Sequence, residues 1–166
     1  MFDHSYVRSD FPILSRQVNG KPLVYLDNGA SAQKPQVVID AISTAYSHEY
    51  ANVHRGLHYL SNLATDKYEN VRSIIARFLG VADERQIIMN SGTTEGINTV
   101  AYGWAMPRLQ PGDEILLSIM EHHANIVPWH FLRERQGVVV KWVETDAEGG
   151  LDPQTVIDAI TPRTKL

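Results

Sequence analysis

The sequence predicts an α/β fold, a mostly parallel sheet with helices on both faces. Two observations carry that expectation. Short runs that are apolar almost throughout, at 86–90 (QIIMN), 114–120 (EILLSIM) and 138–143 (VVVKWV), suit strands buried on both sides. Between them lie segments with apolar residues at helical spacing, bounded by cap and stop residues. Strands that alternate with helices in this way build a parallel sheet.

The elements follow in order. Lys21–Asp27 (KPLVYLD) reads as a strand or an extended entry segment, closed by the turn pair Asn28-Gly29. Pro35 is placed to open a helix whose inner positions are Val38, Ala41, Ile42 and Ala45. Asn52–His58 breaks the pattern with Gly56 and dense polar groups, which predicts a loop. A long helix follows, with Leu60, Ala64, Tyr68, Val71, Ile75 and Phe78 on one face and Gly80 as its stop. After the strand at 86–90, Ile97, Val100, Ala101 and Trp104 mark the inner face of another helix. Pro111-Gly112 turns the chain into the strand Glu114–Met120. The segment from Pro128 to Gln136 is a helix stopped by Gly137, and Val138–Val143 is the next strand. Asp152 and Pro153 are an N-cap and first helical residue, with Val156, Ile157 and Ile160 as the expected buried face. Thr161–Leu166 (TPRTKL) has the composition of a turn into a further strand, so the sequence reads as the first part of a larger sheet.

Composition narrows the classes. A chain of 166 residues can hold one domain or half of a larger one. It is 43% hydrophobic and 20% charged, as soluble globular proteins are. The net charge of -4 comes from interspersed signs with no basic block, which argues against nucleic acid or a membrane surface as partner. No run approaches the ~20 apolar residues of a membrane span. The start, MFDHSYVRSDF, is too polar for a secretory signal, so the expected setting is cytoplasmic. With no cysteine, a disulfide framework, a zinc–thiolate site and a thiol nucleophile within these residues are excluded.

Three segments carry chemistry. In Asn90–Asn98 (NSGTTEGIN) a strand is expected to end in small hydroxyl residues just where a helix begins. Free N–H groups, the positive end of the helix dipole and the Thr93 and Thr94 hydroxyls together make an anion cradle. An ordinary N-terminal cap has the same composition. The segment lacks the Gly-Lys-Ser/Thr ending of a Walker loop and the Gly-x-Gly-x-x-Gly dinucleotide turn. Glu121–Asn125 (EHHAN) puts two imidazoles at the carboxyl end of a strand, the edge where open α/β sheets bind ligands. His122 could stack on a flat ring or move a proton; a pair of structural histidines is the alternative. In Asn52–His58 (NVHRGLH), Arg55 could fork onto a carboxylate or phosphate, or simply face water. His54 and His58 are four apart, but Gly56 between them opposes a helix and no carboxylate set completes a metal sphere, so no metal site is expected.

Taken together, Tyr25–Pro35 (YLDNGASAQKP), Asn52–His58 (NVHRGLH), Gly92–Asn98 (GTTEGIN) and Glu121–Trp129 (EHHANIVPW) resemble the cysteine desulfurases of the class V aminotransferase group, in particular the SufS-like (group II) branch. Order and spacing match as well, from about Asp10 onward. The resemblance implies the N-terminal part of a fold-type-I large domain that binds pyridoxal 5'-phosphate (PLP). Residues 1–20 would be a small-domain contribution and 21–166 an incomplete PLP-binding large domain. It implies removal of sulfur from L-cysteine, giving L-alanine and an enzyme-bound persulfide that feeds iron–sulfur cluster assembly. Thr93 and Thr94 would hold the PLP phosphate, and His122 would stack on the ring and act as the catalytic proton carrier. Ala30, with Gly29, would line the substrate side, and His54 and Arg55 would lie near the substrate. Glu95 would sit near a subunit contact. The implied partners are L-cysteine, a second subunit in a homodimer and a sulfur-acceptor protein.

The family also needs a Schiff-base lysine in a Ser-x-His-Lys context, an Asp on the pyridine nitrogen, a Gln on the ring oxygen and a sulfur-accepting cysteine. None lies in these residues, and Lys21, Lys34, Lys67, Lys141 and Lys165 all occur in other settings. The chain alone is therefore expected to be inactive. The same motifs also fit a selenocysteine lyase, a kynureninase-like hydrolase or an epimerase of the superfamily, and a non-catalytic relative that binds or dimerises.

Overall fold

A computed structural model describes residues 4–166. The chain divides into two compact units, Met1–Ile87 and Ile88–Leu166.

The first unit opens with helix α1 (His4–Ser9) and a hairpin, β1 (Gln17–Val18) and β2 (Lys21–Pro22), paired antiparallel with Val18 opposite Lys21. Asn19 and Gly20 turn the hairpin with φ of 52° and 73°. Successive positive φ is the two-residue turn that matches strand twist, and Asn-Gly adopts it readily. Of the segment 21–27, expected as a strand or an extended entry segment, Lys21–Pro22 pair in this hairpin, Leu23 N–H donates to the Arg16 carbonyl at 2.9 Å, and the rest makes no ladder among the described residues. Helix α2 (Gln36–Thr44) begins after Pro35, as its spacing predicts, and continues as a wider π-helical turn through Glu49. Helix α3 (Tyr59–Leu79) ends at Gly80, whose φ of 69° closes it in the left-handed region. Its apolar positions have the predicted spacing; Phe78 is 88% exposed, and the buried residues of α3 are Ser61 and Ala76. Spacing sets which residues share a face; it does not supply what covers that face.

The run at 86–90 is not a strand. A short 3-10 turn spans Glu84–Gln86, and the following backbone makes no ladder among the described residues, with Ile88 70% exposed.

The second unit holds the better core. Helix α4 (Thr93–Thr99) widens into π-helical turns over Val100–Ala105, closed by the Met106 N–H to Ala101 carbonyl bond of 2.8 Å. Strand β3 (Glu114–Ser118) pairs in parallel with β4 (Val139–Val143), Ile115 opposite Val140, across the crossover helix α5 (Val127–Gln136). On the other side of β3, Thr164 bridges Glu114 in parallel and Leu116 N–H donates to the Leu166 carbonyl at 2.8 Å, so Thr161–Leu166 does lead into extended chain. Ala101, Ala105, Leu109, Ile115, Leu117, Trp129, Leu132 and Val138 form the cluster between these elements. Asp152 caps α6 (Pro153–Asp158), accepting from Gln154 N–H at 3.0 Å, but Ile157 on the face expected to be buried is 58% exposed. The architecture is thus mixed α/β with, among the described residues, one small antiparallel and one small parallel sheet, less sheet than the apolar runs predict. A ladder needs a partner strand as well as a suitable sequence.

Candidate functional site

Ala30, His54 and Arg55 lie in the first unit; Thr93, Thr94 and His122 lie in the second. Each group is built within its own unit.

Ala30 sits in a turn closed by its own N–H and that of Ser31 on the Asp27 carbonyl, at 3.2 and 3.0 Å. The Tyr25 hydroxyl donates to the Ser31 carbonyl at 2.7 Å, and Asn28 Oδ1 accepts from Gln33 N–H at 3.1 Å. A cavity of about 500 Å³ opens beside this loop, lined by Arg8, Phe11, Leu14, Tyr25, Asn28 and Gln33 among others. His54 and Arg55 form the tip of the 52–58 loop, both at positive φ. The His54 ring meets Glu69 of α3, Nε2 to Oε1 3.1 Å, and stands edge-on to Tyr68. Arg55 is exposed and has no ion pair among the described residues.

The α4 start has the features an anion needs. Gly92, with φ of 150°, turns the chain into the helix; its N–H goes to Asn90 Oδ1 at 3.0 Å, and among the described residues no side chain caps α4. The first intrahelical bond runs from Gly96 N–H to the Gly92 carbonyl, so the N–H groups of Thr93, Thr94 and Glu95 precede the ladder. All three residues are exposed. The Glu95 carboxylate folds back onto Ser91, taking its N–H at 2.7 Å and its hydroxyl. Those hydrogen bonds hold the Glu95 carboxyl below its usual range, against the opposing effect of burial. A carboxylate at the same helix end also takes up part of the positive field available to a ligand.

The 3-10 turn His123–Asn125 packs against α4, which brings the EHHAN segment to the cradle. Its footing is a network that the sequence reading did not single out. Glu121 accepts from Ser118 Oγ and Asn125 Nδ2, each at 2.8 Å, and Asn125 Oδ1 accepts from Trp129 Nε1 at 2.9 Å. Glu121 is held below the usual carboxylate range, first by Asn125 and then by Ser118, with burial opposing. The i, i+4 spacing of Glu121, Asn125 and Trp129 was the available signal. His122 is exposed, its ring fixed by Ala124 N–H donating to Nδ1 at 3.1 Å. A neutral ring bonded this way carries its proton on Nε2. Gly96, Ile97, Asn125 and Trp129 share a cavity of about 320 Å³ with β3. Among the described residues, no helix is long and apolar enough to cross a membrane.

Comparison with known proteins gives the family. The family model for class-V aminotransferases matches residues 24–166. The probable cysteine desulfurase 1 of Mycobacterium leprae is 51% identical over 166 residues, which is 100% of this chain and 27% of the relative. The apo structure of the cysteine desulfurase from Thermococcus onnurineus NA1 superposes with a TM-score of 0.82 at 35% identity, covering 93% of this chain and 37% of that one. The crystal structure of the Escherichia coli cysteine desulfurase CsdA gives a TM-score of 0.78 at 38% identity, covering 99% and 40%. The chain thus spans between about a quarter and two fifths of the proteins it matches.

Proposed function

The chain belongs to the class-V aminotransferase family and is homologous to cysteine desulfurases, and from that premise we propose that it is the N-terminal part of a PLP-dependent cysteine desulfurase. The reaction would convert L-cysteine to L-alanine and leave the sulfur as an enzyme-bound persulfide, to be passed to an acceptor protein of iron–sulfur cluster assembly. In this reading residues 1–20 contribute to a small domain, and 21–166 belong to a fold-type-I large domain with a mostly parallel sheet. The whole enzyme is a cytoplasmic homodimer.

The observation that supports the reading most is the uncapped start of α4 beside a fixed imidazole. Three exposed N–H groups at the helix start and two hydroxyls suit a phosphate, so the residues present fit that end of PLP. Thr93 and Thr94 would bind the phosphate. When bound, PLP supplies an electron sink for the carbon bearing the amine. His122 would stack on the ring, with Nδ1 held by Ala124 and Nε2 as the atom that holds or moves a proton. In the first unit, Arg55 would take the substrate carboxylate, His54 would lie beside it and Ala30 would line the substrate side.

Four of the five lysines of this chain are engaged elsewhere. Lys141 Nζ donates to the Ala159 carbonyl at 2.8 Å and lies 3.4 Å from Glu114, and Lys165 donates to the Pro162 carbonyl at 3.0 Å. Lys67 is paired with Glu49, Lys34 with the Ala32 carbonyl, and Lys21 lies in the exposed hairpin strand. The Schiff-base lysine and the sulfur-accepting cysteine are thus required from residues outside these.

A chimera tests the reading. These residues replace the corresponding stretch of a cysteine desulfurase that supplies the lysine and the cysteine, and L-alanine release from L-cysteine is measured. Release above the PLP-only background is the expected result, with a loss of roughly 10-fold or more in PLP affinity for Thr94→Val, the size expected when a hydrogen bond to a charged group is removed. A folded chimera that releases no L-alanine overturns the proposal.

A further inference from the structure

His54 and Arg55 take φ of 60° and 57° in succession. A side chain disfavours this left-handed conformation, and two such residues in a row persist only where their surroundings over-determine them. The restraints lie on α3. Ser61, Thr65 and Glu69 are spaced four apart, so they share one helix face. Ser61 Oγ donates to the Asn52 carbonyl at 2.8 Å, Thr65 Oγ1 accepts the His54 backbone N–H at 2.9 Å, and Glu69 Oε1 lies 3.1 Å from His54 Nε2. The Thr65 hydroxyl donates in turn to the Ser61 carbonyl at 2.7 Å, which leaves its lone pairs facing the loop.

Two further observations show how closely the loop is seated. Ser61 is buried, and a Cβ added to Gly56 would collide with its side chain, so the loop closes on the helix only with glycine there. Glu69 is steadied from behind by Arg72, whose Nε lies 3.7 Å from Oε2 while its guanidinium covers the Tyr68 ring.

We infer that Ser61, Thr65 and Glu69 are positioning residues, a polar helix face that holds the 52–56 loop in its strained form and so fixes how His54 and Arg55 are presented to an anionic substrate. The inference deepens the desulfurase reading and rests on it only for the identity of that substrate. Holding the loop before binding removes an ordering cost that the ligand would otherwise bear.

Limited proteolysis and NMR test it on the chain as it is. Trypsin acts on extended chain, so the Arg55–Gly56 bond must open locally before it is cut, and the rate follows the open population. Thr65→Val and Glu69→Ala each remove a restraint; Thr65→Ser keeps the hydroxyl. Cleavage at Arg55–Gly56, normalised to Arg16–Gln17, is expected to rise about 5- to 30-fold in Thr65→Val and Glu69→Ala. Thr65→Ser is expected to stay within about 2-fold of the parent, since the bonding groups remain. The strong intraresidue HN–Hα NOE that marks positive φ at His54 and Arg55 is expected to fade in the same two variants, with far-UV circular dichroism unchanged. Parent-like rates and NOEs in both variants overturn the inference. So does an increase confined to variants that lose helix while a folded Glu69→Ala behaves as the parent. Neither readout needs PLP or cysteine, so a failed desulfurase assay and a failed loop assay are separate results.

Discussion

Truncating Leu132 to alanine should cost the second unit about 2.5–4 kcal/mol, a large part of the stability of a unit this size. Leu132 is fully buried in the cluster of Ala101, Ile115, Leu117 and Trp129 that joins α5 to β3. Three carbons leave the core at roughly 0.8 kcal/mol each, which sets the lower end. The cavity that remains raises the loss, since neighbours on a helix and a strand relax only in part. The assay is intrinsic to the molecule. Trp104, Trp129 and Trp142 all belong to the second unit, so tryptophan fluorescence in urea reports that unit alone, with the buried Trp129 as its main sensor. With a slope of about 1–1.5 kcal/mol per molar urea, the midpoint should fall by roughly 1.7–4 M. Leu132→Met, which nearly conserves volume, should cost less than about 1.5 kcal/mol. A midpoint shift below about 0.5 M for Leu132→Ala at unchanged slope would refute the argument, because it would mean that Leu132 does not close the core.

Two other outcomes can be checked directly. Glu95, Glu114 and Glu121 are held below the usual carboxylate range, chiefly by Ser91, Thr161 and Asn125 respectively. Lowered folded values mean stability that is complete above the ordinary glutamate pKa of about 4.3 and lost as pH falls through the folded values. Fluorescence-monitored stability of the second unit should therefore be level above roughly pH 5.5, decline in acid, and decline less steeply in Glu121→Gln; stability that rises in acid would contradict this. Borohydride reduction of the chain with PLP should give no adduct confined to one lysine, since four of the five lysines are engaged by carbonyls or carboxylates and Lys21 lies in the exposed hairpin. Peptide mapping to a single modified lysine would count against the requirement for an external one.

Much of the local structure was legible in the sequence because caps and stops act locally. Pro35, Gly80, Gly137 and Asp152–Pro153 stand where the chain enters or leaves a helix, each for a backbone reason that holds in any fold. The Asn19-Gly20 hairpin turn was equally readable, but the longer apolar run after Lys21 drew the expectation of a strand or an extended entry segment instead. The strand expected at 86–90 failed for a different reason. Its apolar residues satisfy the pattern, yet a strand exists only where another chain segment supplies the matching N–H and C=O groups. The buried face expected of α6 failed in the same way at Ile157, and the α3 stripe leaves Phe78 exposed, since periodicity specifies a stripe and tertiary packing specifies its cover.

For the candidate site, the sequence by itself determined which residue types stand at the α4 start, in the 52–58 loop and after β3, and through their order it identified the family. Only the tertiary structure decided how those residues are held. Thr65 and Glu69 reach His54 across 11 and 15 positions of sequence. Glu121, Asn125 and Trp129 become one chain of hydrogen bonds because a turn and a helix bring their ends together. Directional bonds of about 3 Å depend on the path of the backbone, which no spacing rule records for residues so far apart.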